Sequence, residues 1–142
     1  MTFDDYRNDK SIPQTAELAT PLLDNHLDGD FSNLLLFQAQ LKIMHWGTDS
    51  YAEHNAYGST YSDIDDGLDA LVESYQGYHG RIDFGLACEF ISFSKVEPNS
   101  WLNTMIVCLN NLRVELKESD LQNLTDELIA SVSKLKYLLT LK

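Results

Sequence analysis

A chain of 142 residues, 44% of them hydrophobic, is long enough to bury one core, and it contains no run of about 18 apolar residues that would span a membrane. Its 22 acidic residues stand against ten basic ones, a formal charge of −12 with no basic cluster. That balance argues against nucleic-acid binding, because phosphate backbones are gripped by Lys and Arg, and it is compatible with collecting cations.

Residues 1–29 read as an N-terminal arm and residues 30–142 as one helical domain. The arm is polar and acidic without an apolar h-region, so no secretory signal is expected. Pro13 and Pro21 interrupt it, a short helix fits residues 15–23, and the acidic, turn-rich stretch 24–30 closes it, with His26 as a loop histidine. Cys88 and Cys108 lack metal-type spacing, so a reduced, cytoplasmic setting is the simplest reading.

The first long helix is predicted over residues 31–46, capped by Asp30 or Ser32. Leu34, Phe37, Leu41 and Met44 form its core face. Leu36, Ala39 and Ile43 form a second apolar side, which calls for a covering segment or a partner subunit. Gly47 ends this helix, and Asp49 or Ser50 caps the next, over residues 51–76. There Tyr57, Tyr61, Ile64, Leu68, Leu71 and Tyr75 make one stripe. His54, Gly58, Ser62, Asp65, Asp66, Asp69 and Glu73 make the polar side. Gly58 and Gly67 each cost helix propensity, and a glycine inside a helix is a common mark of close packing. Gly77 to Gly80 stop the helix, and His79 has no evident partner. Residues 81–97 are either extended or a short crossing helix. Third and fourth helices follow over residues 100–117 and from Ser119 or Asp120, joined so tightly that they must be antiparallel neighbours. The expected fold class is all-α, a four-helix bundle of two antiparallel hairpins joined by one crossover, the connectivity of ferritin-like folds.

His45 and His54 flank the first hairpin turn, where antiparallel geometry sets them side by side. Asp69 and Glu73 share a helix face at i, i+4. All four are reasonable ligands for iron, manganese or zinc. Asp69 follows His54 by 15 residues, about 22 Å of helix at 1.5 Å per residue, so one chain cannot bring all four to one ion. Two chains can, if the second helix packs antiparallel on its own copy about an axis near residues 61–64, where Gly58, Ser59 and Ser62 permit close approach. The plainer reading is that the histidines cap or fill the turn and the acids are a solvated face.

His45-Trp46, His54 and then Asp69-x-x-x-Glu73 before a glycine resemble the second-helix region of the DNA-protecting mini-ferritins (Dps family) of the ferritin-like superfamily. The pattern is also similar to that of small ferritin-like proteins of tailed bacteriophages. The resemblance implies an intersubunit ferroxidase-type site. His45 and His54 would come from one subunit and Asp69 and Glu73 from its two-fold mate. Trp46 would stand beside them, with Asp65 and Asp66 as accessory acids and iron or another divalent metal as the ion. Two features depart from the family: the interval between the histidines is shorter than usual, and Gly58 stands where the family has another acidic ligand. The lysine-rich tail is absent, so DNA binding is not carried over.

The leading functional expectation is a metal-binding homo-oligomer, at least a dimer through the second helix, oxidising Fe(II) with O₂ or peroxide. The alternative is a non-catalytic phage-type structural or interaction protein that keeps the fold without a working metal site. A weaker third reading is an acidic nucleic-acid mimic.

Overall fold

The computed structural model describes residues 26–84 and 89–141. Four α-helices hold most of them, α1 (His26–Gly47), α2 (Tyr51–His79), α3 (Pro98–Glu115) and α4 (Ser119–Leu138), with a single 3₁₀ turn at Phe93–Lys95 and no strand among the described residues. No helix among them is long and apolar enough to cross a membrane. Most of the short arm read from the sequence, including the helix expected at residues 15–23, lies outside the described residues, as does Cys88.

The helices share one apolar core. It is built from Phe31, Leu34, Phe37, Leu41 and Met44 of α1, Tyr57, Ile64, Leu68 and Leu71 of α2, Leu102, Met105, Leu109 and Leu112 of α3, and Leu121, Leu128, Val132 and Leu135 of α4. These are the stripes that 3.6-residue periodicity picks out. α2 packs on α1 and α4, α4 on α2 and α3, and α1 more lightly on α3, which leaves α1/α4 and α2/α3 on the diagonals. Tyr78 at the end of α2 donates to Asp120 at the start of α4 (3.1 Å), so these neighbours run antiparallel. α1 and α3 do the same, with Phe37 against Trp101 (ring centroids 4.9 Å apart).

Helix ends account for most differences from the sequence reading. α1 begins at His26, inside the stretch expected to be a turn, so Asp30 and Ser32 are not caps. Ser32 lies one turn in, and its hydroxyl donates to the Asp28 carbonyl (2.9 Å). Local turn chemistry lost here to burial, since Leu27 packs on the core. α2 continues through Gly77 to His79 and stops only at Gly80, whose φ of 86° suits a residue without a Cβ. His79 does have a partner: its Nε2 lies 2.9 Å from the Glu118 carboxylate, at the N-cap position of α4.

α3 starts at Pro98, which occupies the first turn, where a missing N–H costs nothing. Glu97 is its N-cap and accepts from the amides of Asn99 (3.3 Å) and Ser100 (2.6 Å). Hydrogen bonding from Ser100, and then from Asn99, holds the Glu97 carboxyl below its ordinary range against the opposing effect of desolvation. Its folded-state pKa is therefore lower than in the unfolded chain. The stabilisation is fully present above the unfolded value and is lost as pH falls through the folded one. Glu97→Gln is expected to lower stability at neutral pH, with the gap to wild type closing under acid. Urea denaturation across a pH series checks this; a gap independent of pH would contradict it.

The connection from α2 to α3 is neither a strand nor a crossing helix over its described residues. It follows α1 from its first turn to its last. The Asp83 amide donates to Asp28 (3.2 Å), and the Gln40 carboxamide both donates to the Ile91 carbonyl (2.8 Å) and accepts from the Ile91 amide (2.9 Å). The Phe93 ring then lies across Gly47. Leu36, on the second apolar side of α1, lines a groove together with Ile91 of this segment.

Candidate metal centre

The α1–α2 turn is short because its own side chains close it. Ser50 caps α2, its Oγ accepting from the Glu53 amide (3.3 Å), while its own amide donates to Thr48 Oγ1 (3.1 Å). Thr48 in turn donates to Glu53 Oε2 (2.5 Å). This is a capping box with the threonine inserted between cap and glutamate.

On the outer side of that turn His45 and His54 stack, ring centroids 3.8 Å apart and planes 21° from parallel. Each ring is held by the other residue's backbone. His45 Nδ1 lies 2.7 Å from the His54 carbonyl and His54 Nδ1 lies 2.9 Å from the His45 carbonyl. A carbonyl only accepts, so both Nδ1 atoms carry the proton. In the neutral form of either ring the lone pair is therefore on Nε2. Metal-ligating histidines commonly hold their second nitrogen in this way.

The stack itself limits what the pair can do. A bound ion lies in the imidazole plane, about 2.0–2.1 Å from its nitrogen. An ion so placed on one ring stands out of the plane of the other when the rings are stacked almost face to face. As they sit, the histidines do not chelate one ion together; each offers a single ligand to be completed by groups from elsewhere.

Gly58 belongs to this geometry. A Cβ at residue 58 would come within 2.8 Å of His45 Cε1 and 3.0 Å of its Nδ1. The glycine is the floor on which the His45 ring lies. The close approach expected from a glycine inside a helix is there, and its neighbour is an imidazole.

The carboxylates lie further along α2. His54, Gly58, Ser62, Asp65, Asp69 and Glu73 recur at three- and four-residue steps, which keeps them within roughly 100° of the helix circumference at 3.6 residues per turn. Asp69 and Glu73 are exposed. Asp65 accepts from Gln38 Nε2 of α1 (2.5 Å), and Lys42 covers the Tyr61 ring (4.1 Å to its centroid), so the stripe borders the α1–α2 seam as far as Asp65. Asp66, grouped with Asp65 in the sequence, faces the opposite flank, in a groove shared with Glu127 of α4. Trp46 is 73% exposed and Tyr51 80%, one on each side of the turn. Among the described residues, no group of three or more His, Cys, Asp or Glu side chains is arranged to hold a metal. Within one chain the histidine pair and the Asp69/Glu73 pair stay apart, as the helix rise requires.

No solved structure matches the chain. An uncharacterized 14.6 kDa protein of Enterobacteria phage T4, from the mobD–ri intergenic region, is 28% identical over 109 residues, covering 77% of this chain and 84% of that protein. A family model matches residues 45–139, from the first stacked histidine to the end of α4. The chain therefore belongs to DUF5856, a family of unknown function.

Proposed function

We propose that the outer face of the α1–α2 hairpin is a two-fold interface at which a divalent metal, iron by the ferritin-like resemblance, is held between His45 or His54 of one copy and Asp69 and Glu73 of another. The observation that carries this reading is the pair of reciprocal Nδ1 bonds, which leave both Nε2 lone pairs unused, with His54 on the same stripe of α2 as the two carboxylates. The path of the chain adds support. Two antiparallel hairpins joined by one long crossover are the connectivity of ferritin-like bundles. In such a site the protein sets geometry and polarity, and bound iron would supply electrons for reducing O₂ or peroxide. Metal titration of the purified protein, read together with its mass in solution, tests this. Binding should accompany a dimer or larger assembly, and His54→Ala and Asp69→Ala should each weaken it by roughly tenfold or more. Equal affinity in all three proteins would sink the proposal.

A second reading has its own observation. The His45–His54 stack, seated on Gly58, also works as a clasp that fastens the hairpin turn with no ion at all. On this reading the protein is a non-catalytic phage-type structural or interaction protein. It predicts that His54→Ala lowers stability equally with and without chelator.

A further inference from the structure

A cavity of about 300 Å³ opens at the end of the molecule where α2 and α3 begin and α4 ends. It is separate from the histidine seam. Its walls include Glu53 and Tyr57 of α2, Glu97 and Leu102 at the start of α3, and Lys136 and Leu139 at the end of α4. That size is at the lower end of the range for small-molecule sites.

Tyr57 makes this more than a surface dent. Its side chain is 1% exposed and lines the cavity, yet its hydroxyl has no hydrogen-bond partner among the described residues. The hydroxyl oxygen is not sealed in the core but reaches the cavity, and the polar end of a buried phenol ordinarily takes a partner. Burial, and then the charge of Glu53, push its pKa up to about 12, so it stays protonated, and the Glu53 carboxylate is close enough for its charge to be felt. Glu53 commits only Oε2, to Thr48. Lys136 is already engaged with Asn103 (2.5 Å), and Glu97 with the α3 amides. The lining therefore carries two carboxylates against one ammonium. It keeps a carboxylate oxygen and a phenol oxygen available beside the apolar surface of Pro98, Leu102 and Leu139.

We propose that this cavity binds a small organic cation, a primary ammonium on a short apolar body. The ammonium donates to Glu53 Oε1 and to the Tyr57 hydroxyl oxygen, and the apolar body lies on Leu102 and Leu139. An anion of the same size is repelled by the excess carboxylate, and a neutral alcohol forgoes the charge-assisted bond.

Backbone amide NMR of the full chain, titrated with n-butylammonium chloride and in parallel with sodium butyrate and n-butanol at matched ionic strength, tests the proposal. The expected result is saturable shifts for residues 53–57, 99–102 and 136–140 with the ammonium alone. Glu53→Gln keeps an oxygen for Thr48 and should stay folded, which its own spectrum reports; it should weaken binding by roughly tenfold. Tyr57→Phe should weaken it by a smaller factor. Absence of saturable shifts, equal response to butyrate or butanol, or unchanged affinity in a folded Glu53→Gln would overturn it.

Discussion

Gly58→Ala is expected to destabilise the protein by about 1–3 kcal/mol, although alanine is the better helix former by about 1 kcal/mol. The two effects oppose each other, and the contact distance decides between them. The added carbon would lie 2.8 Å from His45 Cε1, and that ring cannot slide away cheaply. Its Nδ1 is bonded to the His54 carbonyl and its face is stacked on the His54 ring. Moving it breaks both links. A glutamate at residue 58, the residue type implied by the mini-ferritin resemblance, should cost more still, because a longer side chain starts from the same blocked Cβ. Chemical denaturation of the wild type, Gly58→Ala and His45→Ala, with the double variant completing the cycle, isolates the contact. The double variant should be clearly more stable than the sum of single losses allows, since His45→Ala removes the ring that the methyl meets. Strict additivity would show that Gly58 and His45 are not coupled.

Gln40→Leu is expected to cost about 2–3 kcal/mol, by loss of two hydrogen bonds and exposure of the groups they served. Gln40 is 2% exposed, and its carboxamide serves both the carbonyl and the amide of Ile91, much as a neighbouring strand would. Leucine has similar volume, so the core should be little disturbed and the loss should fall on the crossover. Hydrogen exchange locates it. The Ile91 amide should lose most of its protection, while amides in the middle of α4 lose only what global stability loses. If Ile91 exchange were unchanged relative to the helix interiors, the amide clamp would be idle and the crossover would be held by its other ties, at Asp28 and at Phe93.

The apolar spacing of α2, α3 and α4 was readable because each long stripe repeats at 3.6 residues, and repetition overrides a single poor residue such as Gly67; Gly77, read as part of the stop, is helical as well. The start of α1 was not. His, Asp and Gly in residues 26–30 favour turns locally, and only packing, which draws in Leu27, makes them helical. The crossover was illegible for a related reason. Its place depends on Gln40, which lies some 50 residues earlier in the chain and looks like an ordinary polar helix residue. Glu118 as the partner of His79 escaped notice in the same way.

The sequence by itself determined four helices, their core faces and the separation of the histidines from Asp69 and Glu73, because helical rise is a property of the backbone and needs no neighbours. It also marked Gly58, together with Gly67, as a place of close packing. Only the tertiary structure decided what makes that approach. Which groups face each other across a turn depends on how two helices meet, and no spacing rule carries that. The imidazole of His45 lies on Gly58, stacked on His54 and tied through Nδ1, and this turned an apparently missing ligand into the seat of a histidine. It also showed that the two rings, adjacent as expected, are stacked in planes that do not converge on one ion.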